Sequence, residues 1–215
     1  MEKMMNEEIQ TQLREIFNDM DKDVTMMLFT KEGECPTCEE TKGLLSEVEE
    51  LSDKIHFVVK DFEKDFDDAK KYNIEMVPSF VILDYNNDYH GVKFNGIPAG
   101  HEINSFIPAL LEMSGAKHEI PAELAERIAK IDKPVNIKVF VTLSCPHCPG
   151  AVHNAHKLAM LNKNIEGEMV EAQTFMELSN KHNVTGVPKI VINDTHELVG
   201  NQPMEEFIKI IESMN

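Results

Sequence analysis

The chain has 215 residues, enough for one large domain or for two small ones. Its formal net charge of −17 argues against nucleic acid or an anionic membrane as the main partner, because phosphate groups would be repelled. No apolar run reaches the roughly 18 residues of a membrane span, and the charged amino terminus lacks the apolar core of a signal peptide. We therefore expect the protein in the cytoplasm.

The spacing of apolar residues predicts alternating helices and strands in the first half of the chain. The first helix carries Ile9, Leu13 and Ile16 along one side. The predicted order is a helix over 7–17, a strand over 24–30, a helix after Cys35, a strand over 55–62, a helix over 65–73, strands over 79–85 and 91–96, and a helix over 103–113. This order is typical of an α/β unit with a central mixed sheet flanked by helices.

The second half repeats this order. Its predicted elements are a helix over 121–131, a strand over 135–143, a helix from the second CxxC motif to about Leu161, a strand over 167–172, a helix over 174–182, a hairpin of 189–194 and 196–200, and a helix over 204–214. Gly115 and Pro121 lie between the closing helix of one half and the opening helix of the next. We predict two units, over residues 1–116 and 117–215.

Matched spacings support a tandem repeat. Cys35 precedes Pro78 by 43 residues, and Cys145 precedes Pro188 by the same number. The sequences around the prolines, NIEMVPSFVI and NVTGVPKIVI, match at the same offset of 110 residues. Because two independent anchors keep one spacing, we interpret the chain as two copies of one unit.

All four cysteines belong to two CxxC motifs, Cys35-Pro-Thr-Cys38 and Cys145-Pro-His-Cys148. Spare structural disulfides are disfavoured in a reducing cytoplasm. This use of cysteine therefore indicates either catalysis or metal binding.

Zinc binding is the less suitable interpretation. A zinc site needs about four converging ligands, but 107 residues separate Cys38 from Cys145 and each motif opens its own helix. His156 would lie about 12 Å from Cys148 along a helix, too far for one metal ion. We expect no metal, and we expect His153 and His156 to be ordinary residues of a helix surface.

Redox chemistry suits the position of the motifs better. A cysteine at a helix amino terminus faces unpaired N–H groups and the positive end of the helix dipole, which stabilise a thiolate. The second cysteine, one turn inward, is placed to resolve a mixed disulfide. Pro36 and Pro146 suit a first helical position, where the missing N–H costs nothing.

A Val-Pro pair precedes the third strand of each half, as Val77-Pro78 and Val187-Pro188. A proline that opens a strand can be merely an edge feature. The matched spacing to the CxxC motifs favours instead a cis peptide bond that lies beside the cysteines and leaves backbone groups free to pair with an incoming peptide.

Together these motifs resemble the thioredoxin fold, and their doubled form resembles the protein disulfide oxidoreductases, also called glutaredoxin-like proteins. The segments GIPAGHE (96–102) and LSCPHCP (143–149) are also similar to the amino-terminal domain of the flavoprotein that reduces bacterial peroxiredoxin. That relative keeps one CxxC motif, whereas both are present here, which favours the free-standing oxidoreductase.

The resemblance implies thiol–disulfide exchange on protein substrates, with electrons supplied from NADPH by a thioredoxin reductase. It assigns roles by position, with Cys35 and Cys145 as nucleophiles, Cys38 and Cys148 as resolving thiols, and Pro78 and Pro188 as cis prolines of a substrate groove. Thioredoxins also bury an acid six residues before the first cysteine. Phe29 and Val139 hold those positions here, so help from a carboxylate at that place is not expected.

The two CxxC loops differ at one position, where the first has Thr37 and the second has His147. An imidazole beside the nucleophile stabilises its thiolate, which lowers the pKa of the cysteine and makes the disulfide more oxidising. We therefore expect the Cys145–Cys148 pair to be the more oxidising centre.

Three functions remain open on this basis. The leading one is an enzyme that reduces, oxidises or isomerises protein disulfides through redox-active disulfides, with no bound cofactor. The second is an electron carrier that docks on a flavoprotein and delivers electrons to a peroxiredoxin. The third is a redox-sensing or chaperone-like module that binds proteins through the groove around Pro78 and Pro188.

Overall fold

Apolar strands form the centre of the protein, for which a computed structural model describes residues 4–33, 35–116 and 120–214. The runs VTMMLFT and VNIKVFV, rich in β-branched and large apolar residues, form buried strands. The elements of the first half are α1 (Glu7–Phe17), β1 (Val24–Thr30), α2 (Cys38–Glu49), β2 (Ile55–Asp61), α3 (Phe66–Lys71), β3 (Ser79–Leu83), β4 (Tyr89–Asn95), a short 3-10 helix (Gly100–Glu102) and α4 (Ile103–Met113). Those of the second half are α5 (Ala122–Ala129), β5 (Val135–Val141), α6 (Cys148–Leu161), β6 (Ile165–Glu171), α7 (Met176–Lys181), β7 (Lys189–Ile192), β8 (His196–Val199) and α8 (Met204–Ser213).

The predicted α/β class is confirmed, and the strands form a mixed sheet flanked by helices. The strand order is β2-β1-β3-β4-β6-β5-β7-β8, so within the described residues the two halves share one sheet of eight strands. The halves meet through β4 and β6, which pair in parallel with Val92 opposite Gly167. This pairing satisfies backbone groups that two edge strands would otherwise expose. The division into units at residue 116 stays a prediction.

Polar side chains lie along the β4–β6 seam. The ammonium group of Lys93 lies 2.7 Å from the carboxylate of Glu166, and the hydroxyl of Tyr89 donates to the same carboxylate at 2.6 Å. The Lys93 side chain is almost fully buried, so its charge needs this partner. Gly91 has a φ of +76°, and a Cβ there would overlap the carbonyl oxygen of Ile165. The close approach of the two strands therefore requires glycine at this position.

Alternate residues of each strand face opposite sides of the sheet, which gives the protein two layers of core. Met26 and Leu28 of β1 belong to the main core, whereas Phe29 belongs to a smaller core beneath α3. Phe140 of β5 belongs to an equivalent small core, against which Leu178 of α7 packs.

The buried side of α1 differs from the predicted one. Of the three apolar residues along one side, only Leu13 is buried, while Ile9 and Ile16 are 42% and 39% exposed. Gln10 lies on the buried side of the helix, where its side-chain amide donates a hydrogen bond to the carbonyl of Met5 at 2.9 Å. A satisfied polar side chain is tolerated inside the protein, so the apolar spacing alone misplaced this face.

His156 is buried, so its predicted place on the helix surface is wrong. Its ring packs on Phe94 with the ring centroids 4.6 Å apart, and its Nε2 lies 3.0 Å from the carbonyl oxygen of Lys93. Desolvation lowers the pKa of His156 to about 4. The first half covers this side of α6, which the sequence of the helix alone does not reveal. His153 is partly exposed, with its Nε2 3.6 Å from a carboxylate oxygen of Glu112.

Candidate active site

Each CxxC motif lies at the carboxyl end of a parallel strand. β1 is followed by the first motif and β5 by the second. The loop after the neighbouring parallel strand is held at the same edge, since Phe62 donates to the carbonyl of Thr30 at 2.8 Å and Ala172 donates to that of Val141 at 2.9 Å. Loops at this edge of an open α/β sheet are where such folds place their functional residues.

Both motifs are closed as disulfides. The Cα atoms are 5.4 Å apart between Cys35 and Cys38, and 5.5 Å apart between Cys145 and Cys148. The second cysteine of each pair is buried, whereas Cys35 is partly exposed and Cys145 keeps 8% of its surface. In each pair the first cysteine is therefore the one that a partner reaches more easily.

The helices begin at the second cysteine, so the predicted place of Pro36 and Pro146 at a first helical position is wrong. Both prolines lie in the turn before the helix. In the first motif this turn is closed by the N–H of Cys38, which donates to the carbonyl of Cys35 at 3.3 Å. Proline is favoured at the second position of such a turn because its φ is already fixed there.

The predicted cis peptide bonds are present at Val77–Pro78 and Val187–Pro188. The carbonyls of the two prolines accept hydrogen bonds from Gly96 and Gly200, at 2.8 and 2.9 Å. Because β3 and β7 run antiparallel to β1 and β5, each Val-Pro pair lies at the same sheet edge as its CxxC motif. The structure thus brings together the residues that the sequence pattern grouped.

The residue between proline and the second cysteine distinguishes the two loops. His147 is exposed and forms no hydrogen bond or ion pair with any residue that the structure describes. The hydroxyl oxygen of Thr37 is buried, and within the described ranges it has no hydrogen-bond partner. The second loop thus carries an exposed imidazole two residues after its first cysteine, where the first loop carries a buried hydroxyl.

The position six residues before each nucleophile holds no acid. Phe29 and Val139 are both fully buried, in apolar cores on opposite faces of the sheet. An acid at either position would need a buried hydrogen-bond partner.

Glu102 supplies a buried acid that the sequence interpretation did not single out, although it closes the segment GIPAGHE. The residue is fully buried, and its Oε2 accepts a hydrogen bond from the hydroxyl of Ser105. Burial raises the pKa of Glu102 to about 7, and the bond from Ser105 opposes this shift. A carboxyl group that titrates near neutral pH is able to give or take a proton.

The 3-10 helix that ends at Glu102 packs against the second centre. Its His101 N–H donates at 2.9 Å to the carbonyl of Leu143, two residues before Cys145. Gly100 has a φ of +59°, and a Cβ there would overlap the same carbonyl oxygen. The first half of the chain therefore contributes a wall to the second centre.

Replacing Gly100 by alanine is expected to destabilise the protein by about 1–3 kcal/mol, because both the left-handed backbone and the contact with Leu143 exclude a side chain. The displaced loop should change the reactivity of Cys145 and leave that of Cys35 unaltered. Urea unfolding and alkylation rates of the reduced protein measure the two effects. Gly33 has a φ of +91° with no atom within 4 Å of a Cβ, so Gly33→Ala is a control without the contact.

The described residues contain no group of three or more histidine, cysteine, aspartate or glutamate side chains suited to hold a metal ion. In the same residues, no helix is long and apolar enough to cross a membrane.

Comparisons with known proteins agree with this geometry. A family model described as a thioredoxin domain matches residues 135–213. The amino-terminal (NTD_N/C) domain of the alkylhydroperoxide reductase AhpF from Enterococcus faecalis superposes with a TM-score of 0.90 and 31% identity, covering 96% of this chain and 99% of that one. A protein disulfide oxidoreductase from Aeropyrum pernix superposes with a TM-score of 0.90 and 29% identity, covering 97% and 93%.

Curated relatives are longer than this chain. The alkyl hydroperoxide reductase AhpF of Escherichia coli is 29% identical over 98% of this chain and 38% of its own length. A protein of Bacillus subtilis named NADH dehydrogenase is 25% identical over 95% of this chain and 37% of its own length. The chain thus spans somewhat more than a third of these relatives.

Proposed function

Because the chain belongs to the thioredoxin-fold family that includes the amino-terminal domain of AhpF, we propose that its two centres exchange electrons with disulfides of partner proteins. The chain is a thiol–disulfide oxidoreductase with two CxxC disulfides. The observation that carries the proposal is the presence, in both halves, of a CxxC disulfide and a Val-Pro pair at one sheet edge.

In the proposed reduction, the thiolate of Cys145 attacks one sulfur of a partner disulfide and forms a mixed disulfide, releasing one partner thiolate. The thiolate of Cys148 then attacks the sulfur of Cys145, which closes the Cys145–Cys148 disulfide and releases the second partner thiolate. Two electrons pass to the partner, whose thiolates take up two protons. Cys35 and Cys38 act in the same way at the first centre.

The Val-Pro pairs are proposed to hold the partner strand. No other described residue hydrogen-bonds to the backbone of Val77 or Val187. These groups are therefore available to pair with an extended segment, as in the addition of a strand to a sheet edge.

A second candidate function is electron delivery to a peroxiredoxin, and the similarity to AhpF favours it. In either role the two disulfides need a reductant, which we propose is a flavoprotein reductase fed by NADPH or NADH. Turnover of peroxide with a candidate peroxiredoxin and such a reductase tests the second function.

A reducing cytoplasm is the proposed location, because all four cysteines take part in exchange rather than in structural disulfides.

The protein is expected to reduce the disulfides of insulin in the presence of dithiothreitol, measured as the turbidity of the released chains. The Cys35→Ser/Cys145→Ser variant should lose all of this acceleration, since no nucleophile is left, while its circular dichroism spectrum stays unchanged. Activity that persists in this variant would contradict the proposed roles. Binding of unfolded protein without any reduction would favour the chaperone-like module instead.

A further inference from the structure

The edges of the two centres differ in charge although equivalent elements form them. At the first centre, Glu39 and Glu40 lie in the first turn of α2 and Glu75 lies three residues before Pro78. All three side chains are exposed, and none forms an ion pair with a residue in the described parts of the chain. Their charges are therefore available to a partner that approaches the Cys35–Cys38 disulfide.

The second centre lacks these charges. The residues 110 positions later are Pro149, Gly150 and Thr185, and the first turn of α6 contains no acidic residue. A partner that approaches Cys145 thus meets neutral surroundings at the same three places.

Other charges near the first centre are largely balanced. The ammonium group of Lys31 lies 2.7 Å from the carboxylate of Glu63, and that of Lys64 lies 3.8 Å from Glu32. Lys42 is exposed in α2, and the exposed Lys70 lines the same surface cavity as Glu75, so these two cations offset at most two of the three carboxylates. The local balance at the first centre is therefore negative.

The two centres also differ in access. The first lies beside β2, an edge strand, so among the described residues no further strand pairs beyond that side. The second lies beside β6, which is followed by β4 and by the loop that contacts Leu143. Cys35 is correspondingly more exposed than Cys145. The first centre is therefore accessible to the surface of a folded partner, whereas the second is better suited to an extended peptide segment.

We propose that the first centre selects disulfide partners with lysine or arginine beside the cystine, while the second centre accepts neutral segments. The inference rests on the proposed exchange at both centres. The Cys35–Cys38 disulfide supplies the chemistry, Glu39 and Glu40 follow it in the first turn of α2, and Glu75 precedes the Val77–Pro78 pair. At about 0.1 M salt the Debye length is about 10 Å, so carboxylates at the edge of the centre act while distant ones are screened. Complementary charge of this kind mainly raises the rate of productive encounter.

Cystine peptides that differ only in flanking residues test the proposal. The rate constants for lysine-, serine- and glutamate-flanked peptides are compared in the reduced Cys145→Ser/Cys148→Ser variant, which keeps the first centre, and in the Cys35→Ser/Cys38→Ser variant. The first centre should favour the lysine peptide over the glutamate peptide by about tenfold at about 0.1 M salt, and this preference should vanish at about 1 M. The second centre should show a ratio within about twofold. Because both variants share the rest of the chain, its overall negative charge cannot produce this difference.

Charge removal at the centre is compared with charge removal elsewhere. Changing Glu39, Glu40 and Glu75 to glutamine should reduce the preference of the first centre to about twofold. The control changes Glu15 to glutamine and Asp19 and Asp53 to asparagine; these exposed acids lie in α1 and in the loops that lead into β1 and β2, away from the reactive edge.

The control variant should keep the full preference. Equal lysine-to-glutamate ratios at the two centres, or a ratio that survives removal of the three carboxylates, would overturn the charge selection alone. If neither centre reduced even the serine-flanked peptide, the proposed exchange itself would fail, and the charge selection with it.

Discussion

Replacing Cys145 by serine is expected to lower the rate of insulin reduction by about tenfold or more, and replacing Cys35 should lower it less. A free thiol has a pKa of about 8.5, and CxxC motifs bring it to roughly 3.5–7.5, so small differences in thiolate stabilisation change the reactive fraction. His147 lies exposed beside Cys145, and α6 has no acid in its first turn. Both features favour the thiolate of Cys145. Burial of Cys145 opposes them, because desolvation raises the pKa of a thiol.

The first centre lacks an equivalent stabilisation of its thiolate. Thr37 has no charge, and the carboxylates of Glu39 and Glu40 in the first turn of α2 disfavour a thiolate at Cys35. We therefore expect the pKa of Cys145 to be the lower one. Thiolate absorbance, titrated against pH in the two single-centre variants, gives both values. His147→Thr should narrow the gap, and equal pKa values that this change does not move would show that the histidine has no tuning role.

Replacing Glu102 by glutamine is expected to flatten the pH dependence of the unfolding free energy. The pKa of Glu102 is raised by burial from 4.5 to about 7, so the folded protein holds a proton that the unfolded chain releases. The stability linked to this proton is fully present below pH 4.5 and is lost as pH rises through about 7. The unfolding free energy lost in this way is at most about 3 kcal/mol.

Urea unfolding at several pH values between 4 and 8 measures the effect. The difference between native protein and Glu102→Gln isolates this carboxyl group, because His156 titrates in both. Burial lowers the pKa of His156 to about 4. His156 therefore contributes stability above pH 6.5 that is lost as pH falls through about 4. Parallel stability curves for the native protein and Glu102→Gln would contradict a raised pKa at Glu102.

Features of the fold that depend on the local order of residues could be predicted from the sequence. Apolar spacing located the strands, and the matched positions of Cys35, Pro78, Cys145 and Pro188 predicted two similar sites, each with a Val-Pro pair beside its CxxC motif. Most of the features that the sequence did not predict depend on contacts between distant parts of the chain. The parallel β4–β6 pair is one, since apolar spacing within a strand does not specify which edges meet. The burial of His156 is another, because β4 of the first half covers it.

Glu102 was missed for the same reason. Its segment was noted for its resemblance to a known domain, but an acid that follows two glycines and a proline resembles an ordinary residue of a surface loop. Only the fold shows that the segment packs beside Leu143 and excludes water from the carboxyl group. The start of α2 at Cys38 was also missed, since helix patterns locate boundaries only to within one or two residues.

A redox titration of the whole protein, with thiols trapped by alkylation and counted by mass at each potential, tests most directly whether the two CxxC pairs are distinct redox centres. We predict two separate two-electron steps, each of which releases two thiols. The Cys145–Cys148 pair should be reduced at the higher potential, by about 30 mV or more, which corresponds to a tenfold difference in equilibrium constant. A pair that stays closed throughout, or two pairs that open together at one potential, would contradict two distinct redox centres.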